Sequence, residues 1–123
     1  MFVKERVDFS VSYYAFNIYP QTIRRALLAR DVSSLVTGRF TMFVKYTKKM
    51  DPSLHIDVEL RAKKSPTKSG TAKIKKAISR RLLEEVSEYR ETHKQKGDIV
   101  HPKIRTHEYG YFRQNIKQRW SIN

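Results

Sequence analysis

The chain has 123 residues, with 26 Lys and Arg against 12 Asp and Glu, so its formal net charge is +14. That length fits one domain with a core of its own, and the absence of cysteine excludes disulfides, thiol catalysis and cysteine-held zinc. No apolar run approaches the roughly 20 residues of a membrane span, and the residues after Met1 lack the apolar centre of a signal peptide. A cytoplasmic location and no membrane partner are therefore expected, and the charge calls for an acidic or phosphorylated partner.

Residues 9–19, aromatic and β-branched with partial alternation, predict a first strand. Pro20 then stands where a helix tolerates proline best, at its first position, and Ile23, Ala26 and Leu27 carry the helical spacing, with Leu28 widening the stripe. Residues 31–38 read as a connection. Phe40, Met42, Val44 and Tyr46 alternate with Thr41, Phe43 and Lys45, which predicts a half-buried strand, and the Asp51-Pro52 turn leads to a second. In that second strand Leu54, Ile56, Val58 and Leu60 alternate with His55, Asp57, Glu59 and Arg61, so the two form a hairpin.

Residues 62–70 form a polar loop. A long helix is expected over about 71–93, its apolar stripe made by Ile74, Ile78, Leu82, Val86 and Tyr89. Residues 99–106 read as a last strand, placed at a sheet edge by Pro102. The order strand, helix, strand, strand, helix, strand predicts an α+β domain with a ferredoxin-like βαββαβ antiparallel sheet and two helices on one face.

The positive charge is concentrated. Residues 61–81 hold nine basic side chains and no acidic one. In the long helix, Lys73, Lys75, Lys76, Arg80 and Arg81 precede Glu84, Glu85, Glu88 and Glu91, the reverse of the order the helix dipole favours. A solvated face explains this pattern. So does an anion met by the helix start and its lysine-rich loop, where dipole and side chains add. Either a phosphorylated cofactor or a polynucleotide would fit.

His55, His93, His101 and His107 are not paired at metal-ligand spacing within one element, so each reads as a surface or loop histidine and no metal site is expected. There is no glycine-rich phosphate loop, no nucleophile elbow and no carboxylate pair of glycosidase type. The third strand lacks the aromatic signature of an RNA-recognition sheet and carries two acids, which counts against base stacking there.

Two segments carry a family resemblance. Residues 6–23, RVDFSVSYYAFNIYPQTI, resemble the hinge motif of AMP-forming adenylating enzymes, in the N-I-Y-P form of the phenylacetate–coenzyme A ligase branch. Residues 111–123, YFRQNIKQRWSIN, resemble the closing motif of that branch. The sequence departs from the family pattern at Glu5, Phe9, Ala15 and Ile116, where the family has glycine, aspartate, glycine and glycine.

The resemblance implies a mobile C-terminal lid, with residues 1–8 as hinge segment, 9–123 as the lid domain and a lysine-bearing tail at its end. The N-terminal catalytic domain is absent from this sequence, so the chain alone is expected to be inactive. By residue-to-residue match, Asp8 would be the hinge pivot, Arg6 a nucleotide-ribose contact and Lys117 the lysine that reaches the reacting phosphate and carboxylate. Ala15 would lie where the pantetheine arm of coenzyme A passes, and Lys73, Lys75 and Lys76 are candidate phosphate or coenzyme A contacts.

ATP with magnesium and coenzyme A would serve the complete ligase, with none held tightly by this domain alone. The partner would be the adenylation domain, in cis or as a separate chain. The alternatives are a stand-alone basic module that binds RNA or another polyanion, and a protein-interaction domain derived from the lid.

Overall fold

The computed structural model describes residues 10–112. Its first element is a hairpin of two short strands, β1 (Val11–Tyr13) and β2 (Phe16–Ile18). The single strand expected over residues 9–19 is thus folded back on itself. Tyr14 makes the reversal with φ 55°, a left-handed conformation that is uncommon outside glycine. Residue alternation survives the reversal, so Tyr13, Phe16 and Ile18 are all buried.

Helix α1 (Pro20–Leu27) begins at Pro20 as expected and buries Ile23, Ala26 and Leu27. A single-turn helix, α2 (Arg30–Ser33), occupies part of the expected connection and buries Val32. Strands β3 (Val36–Tyr46) and β4 (Pro52–Leu60) form the expected antiparallel hairpin. Its register shifts between Val36 and Phe40, where Gly38 has φ 98°. A positive φ is cheap only for glycine, so the bulge and the glycine go together.

The expected long helix is two helices. Thr67 caps α3 (Lys68–Glu85) by accepting the Gly70 amide at 2.9 Å, three residues earlier than the periodicity alone placed its start. Val86 then leaves the helical region, with φ −114° and ψ 102°, and α4 (Ser87–Lys96) follows. The predicted stripe holds across the break: Ile74, Ile78, Leu82 and Tyr89 are fully buried. Gly97 ends α4 with φ 78°, and a 3-10 turn, Gly97–Val100, leads to β5 (Lys103–His107).

The sheet order is β3-β4-β5, and β5 runs parallel to β4. This corrects the ferredoxin-like antiparallel expectation. The first strand forms its own two-stranded sheet with β2, leaving β4 an open edge that β5 fills after the crossover through α3 and α4 that a parallel pair requires. Pro102 sits just before β5, which is an edge strand, as its proline predicted.

The core joins one face of β4 (Leu54, Ile56, Val58, Leu60) to α1, α2, α3, the hairpin and Tyr89. Glu85 ties α1 to α3 by an ion pair with Arg25 at 2.6 Å and pairs within α3 with Arg81 at 2.9 Å. No helix among the described residues is long and apolar enough to cross a membrane.

Candidate functional site

The second face of β4 carries His55, Asp57 and Glu59. Alternation predicts that these side chains face water, yet Asp57 is 3% exposed and Glu59 is fully buried. Buried carboxylates need partners, and these have them. Glu59 accepts the Thr37 hydroxyl at 2.9 Å and the Gly110 amide at 2.9 Å. Thr37 lies within the register shift between Val36 and Phe40. Asp57 lies 3.0 Å from Arg105 Nε and 3.1 Å from His107 Nε2.

Burial pushes the Asp57 carboxyl up, but the hydrogen bonds and charges of Arg105 and His107 outweigh it and hold the group below the usual carboxylate range. Tyr111 stacks on His107 at 3.7 Å between ring centroids, and Phe112 is buried. Two acids of β4 thus clamp the segment 107–112, which leads into the tail that contains Lys117.

Around this clamp the sheet face is basic. Phe43 stacks on His55 at 5.2 Å, with Lys45 Nζ 5.6 Å from the Phe43 centroid. Lys103 and Arg105 pair in register with His55 and Asp57. Burial, then the charges of Lys45, Lys103 and Arg105, hold the His55 imidazole below its ordinary value.

A second group of polar side chains lies at the far end of α4. The Tyr13 hydroxyl donates to the Val100 carbonyl at 2.7 Å and locks the hairpin to the 3-10 turn. Tyr89 Oη is 2.5 Å from His101 Nδ1. Asp98 Oδ1 is 3.0 Å from His93 Nε2 and 3.6 Å from His101 Nε2. His93 and His101, read from the sequence as surface or loop histidines, are thus brought together with Asp98. They come from different elements, one on α4 and one after the turn, so spacing within one element could not reveal the pair.

Ala15 is exposed at the hairpin tip, beside Tyr14, whose ring Lys96 approaches at 5.7 Å. Lys73, Lys75 and Lys76 are all exposed, but the helix divides them. Lys75 faces the 3-10 turn closely enough for its charge to act on Asp98 and His101. Lys76 lines a groove with Ala29, Asp31 and Arg80, and Lys73 lies three residues before it, on that side.

The start of α3 borders a separate open pocket of about 240 Å³, lined in part by Lys63, Lys64, Thr67 and Gly70. The basic block is therefore several surfaces, with Arg81 already engaged by Glu85. Arg6, Asp8 and Lys117 lie outside the described residues.

No protein-family model matches the sequence, and no curated protein matches it. Solved structures do match its fold. A domain of phenylacetate–coenzyme A ligase from Bacteroides vulgatus superposes with a TM-score of 0.58 at 17% identity, over 85% of this chain and 84% of that domain. An acyl-CoA synthetase from Brucella canis gives a TM-score of 0.49 at 14% identity, over 84% of this chain and 16% of that one. The chain has the α+β fold of a domain found in a phenylacetate–coenzyme A ligase.

Proposed function

We propose that this chain is the mobile C-terminal lid of an ATP-dependent ligase that activates a carboxylic acid as its acyl-adenylate and passes it to coenzyme A. The fold match carries this reading, because it runs along 85% of this chain and 84% of the ligase domain. The hinge-like and tail-like segments at 6–23 and 111–123 support it from the sequence side.

In adenylation the carboxylate attacks the α-phosphorus of ATP and pyrophosphate departs. Negative charge accumulates between the two, and a lysine delivered by a closing lid offsets it and helps to exclude water. Lys117 is the lysine assigned to that task, Arg6 the ribose contact and Asp8 the pivot. Magnesium would accompany the ATP.

The clamp of Asp57 and Glu59 on residues 107–112 gives the tail a fixed base five residues before Lys117. A catalytic group benefits from such anchoring, since it must be held to within a fraction of an ångström of its productive position. In the thioester-forming orientation the exposed hairpin tip at Ala15 would border the pantetheine arm, with Lys96, beside the Tyr14 ring, a cation close to it.

Acid-dependent exchange of pyrophosphate into ATP tests the reading. The adenylation domain encoded with this chain, on the same polypeptide or beside it, should exchange at a rate that falls by at least tenfold when residues 1–123 are removed. Exchange independent of these residues contradicts the lid role.

A second reading has one observation in its favour, the basic sheet face with its Phe43–His55 stack and flanking Lys45. Such a face could hold RNA or another polyanion through phosphate contacts. It predicts a salt-sensitive shift of an oligonucleotide in a gel, lost in Lys45→Ala with Lys103→Ala. The absence of a shift at low salt removes this reading.

A further inference from the structure

We propose that His93, Asp98 and His101 form a binding site for a divalent transition-metal ion of the zinc class. One ligand atom from each lies within 4.8 Å of the other two. Asp98 Oδ1 stands 3.0 Å from His93 Nε2 and 3.6 Å from His101 Nε2. Metal–ligand distances of about 2.0–2.1 Å in a tetrahedron place donors roughly 3.3 Å apart; both Asp98 distances are already near this, while the stacked imidazoles, their ligand atoms within 4.8 Å, must turn toward a shared ion. Two imidazoles and one carboxylate are a donor set suited to zinc, cobalt or nickel.

The surroundings support a cation. His93 is in the last turn of α4, where the helix dipole favours positive charge. The stretch 93–101 turns back at Gly97, so all three ligands come from one short local segment. With a metal on Nε2 of His101, its Nδ1 carries the proton and donates to Tyr89 Oη. The Tyr89 hydroxyl is then free to donate to the Val100 carbonyl, 3.4 Å away.

That chain of donors fixes the ring, as outer partners of metal-bound histidines commonly do. The Asp98 side chain is 89% exposed, against 15% for His101, so the site opens to solvent on the Asp98 side and water can complete the coordination. Lys75 is the opposing feature: its charge acts on both Asp98 and His101 and would weaken cation affinity.

The proposal is independent of the lid reading, and cobalt(II) tests it. Titrated into the purified full chain at neutral pH, cobalt should give visible d–d absorption that saturates at one ion per chain and is displaced by zinc. His93→Gln with Asp98→Asn should abolish that signal; both side chains are partly or largely exposed, and circular dichroism would verify the fold. Lys75→Gln should tighten binding several-fold by removing a nearby like charge. Absence of specific absorption in the parent chain, or equal binding by the His93→Gln, Asp98→Asn variant, overturns the site.

Discussion

The carboxylate of Glu59 accepts the amide of Gly110 at 2.9 Å, across 51 residues of sequence. It joins the second hairpin strand to the segment that leads into the tail. With no exposure to solvent, this acid depends on its two protein donors, the Gly110 amide and the Thr37 hydroxyl. Removing it leaves both donors without that acceptor. Glu59→Ala should therefore cost about 2–3 kcal/mol in urea unfolding and accelerate hydrogen exchange at the Gly110 amide. Glu59→Gln keeps a carbonyl acceptor and should lose less. Exchange at Gly110 that is unchanged in Glu59→Ala would show that the clamp does not hold the segment.

Asp57 supplies a pH dependence. Its folded pKa lies below the ordinary value, so its contribution to stability is fully present above the unfolded pKa of about 3.9. That contribution is lost as pH falls through the folded value. The stability gap between the parent chain and Asp57→Asn should be largest near neutral pH and shrink in acid. A gap that grows on acidification would reverse the sign and refute the assignment.

The start of α3 should depend on its cap. Thr67 accepts the Gly70 amide, and an Ncap threonine contributes about 1 kcal/mol. Thr67→Ala should lower stability by that amount, and Thr67→Ser by much less. Equal losses in the two variants would mean that the hydroxyl is not the source.

A buried hydroxyl ties the hairpin to the 3-10 turn. Tyr13→Phe removes the hydrogen bond to the Val100 carbonyl while keeping the ring contacts with Tyr14 and Phe16. A loss of about 1 kcal/mol is expected, measured by denaturant unfolding. No loss would mean that packing alone seats the hairpin.

Periodicity made much of this fold legible. The alternation from Leu54 to Leu60 and the stripe Ile74, Ile78, Leu82, Tyr89 mark residues that are buried in the structure. Local pattern could not show what tertiary context decides. Aromatic composition made residues 9–19 look like one strand, because the left-handed turn at Tyr14 leaves no mark without glycine. The direction of β5 depends on which edge stays open. Asp57 and Glu59 read as solvent-facing because their partners, Arg105, His107 and Gly110, arrive some 50 residues later. The His93–Asp98–His101 group was hidden for a similar reason, since the turn at Gly97 must form before the side chains meet.

The lid reading is tested most directly at Lys117. On the proposed lid role, acid-dependent ATP–pyrophosphate exchange by the chain joined to its proposed adenylation domain should fall by about 10²-fold or more in Lys117→Ala, the scale on which a single charge-stabilising group acts. Lys48→Ala, in the turn between β3 and β4, should leave it unchanged. Exchange in Lys117→Ala equal to that of the parent would contradict the account.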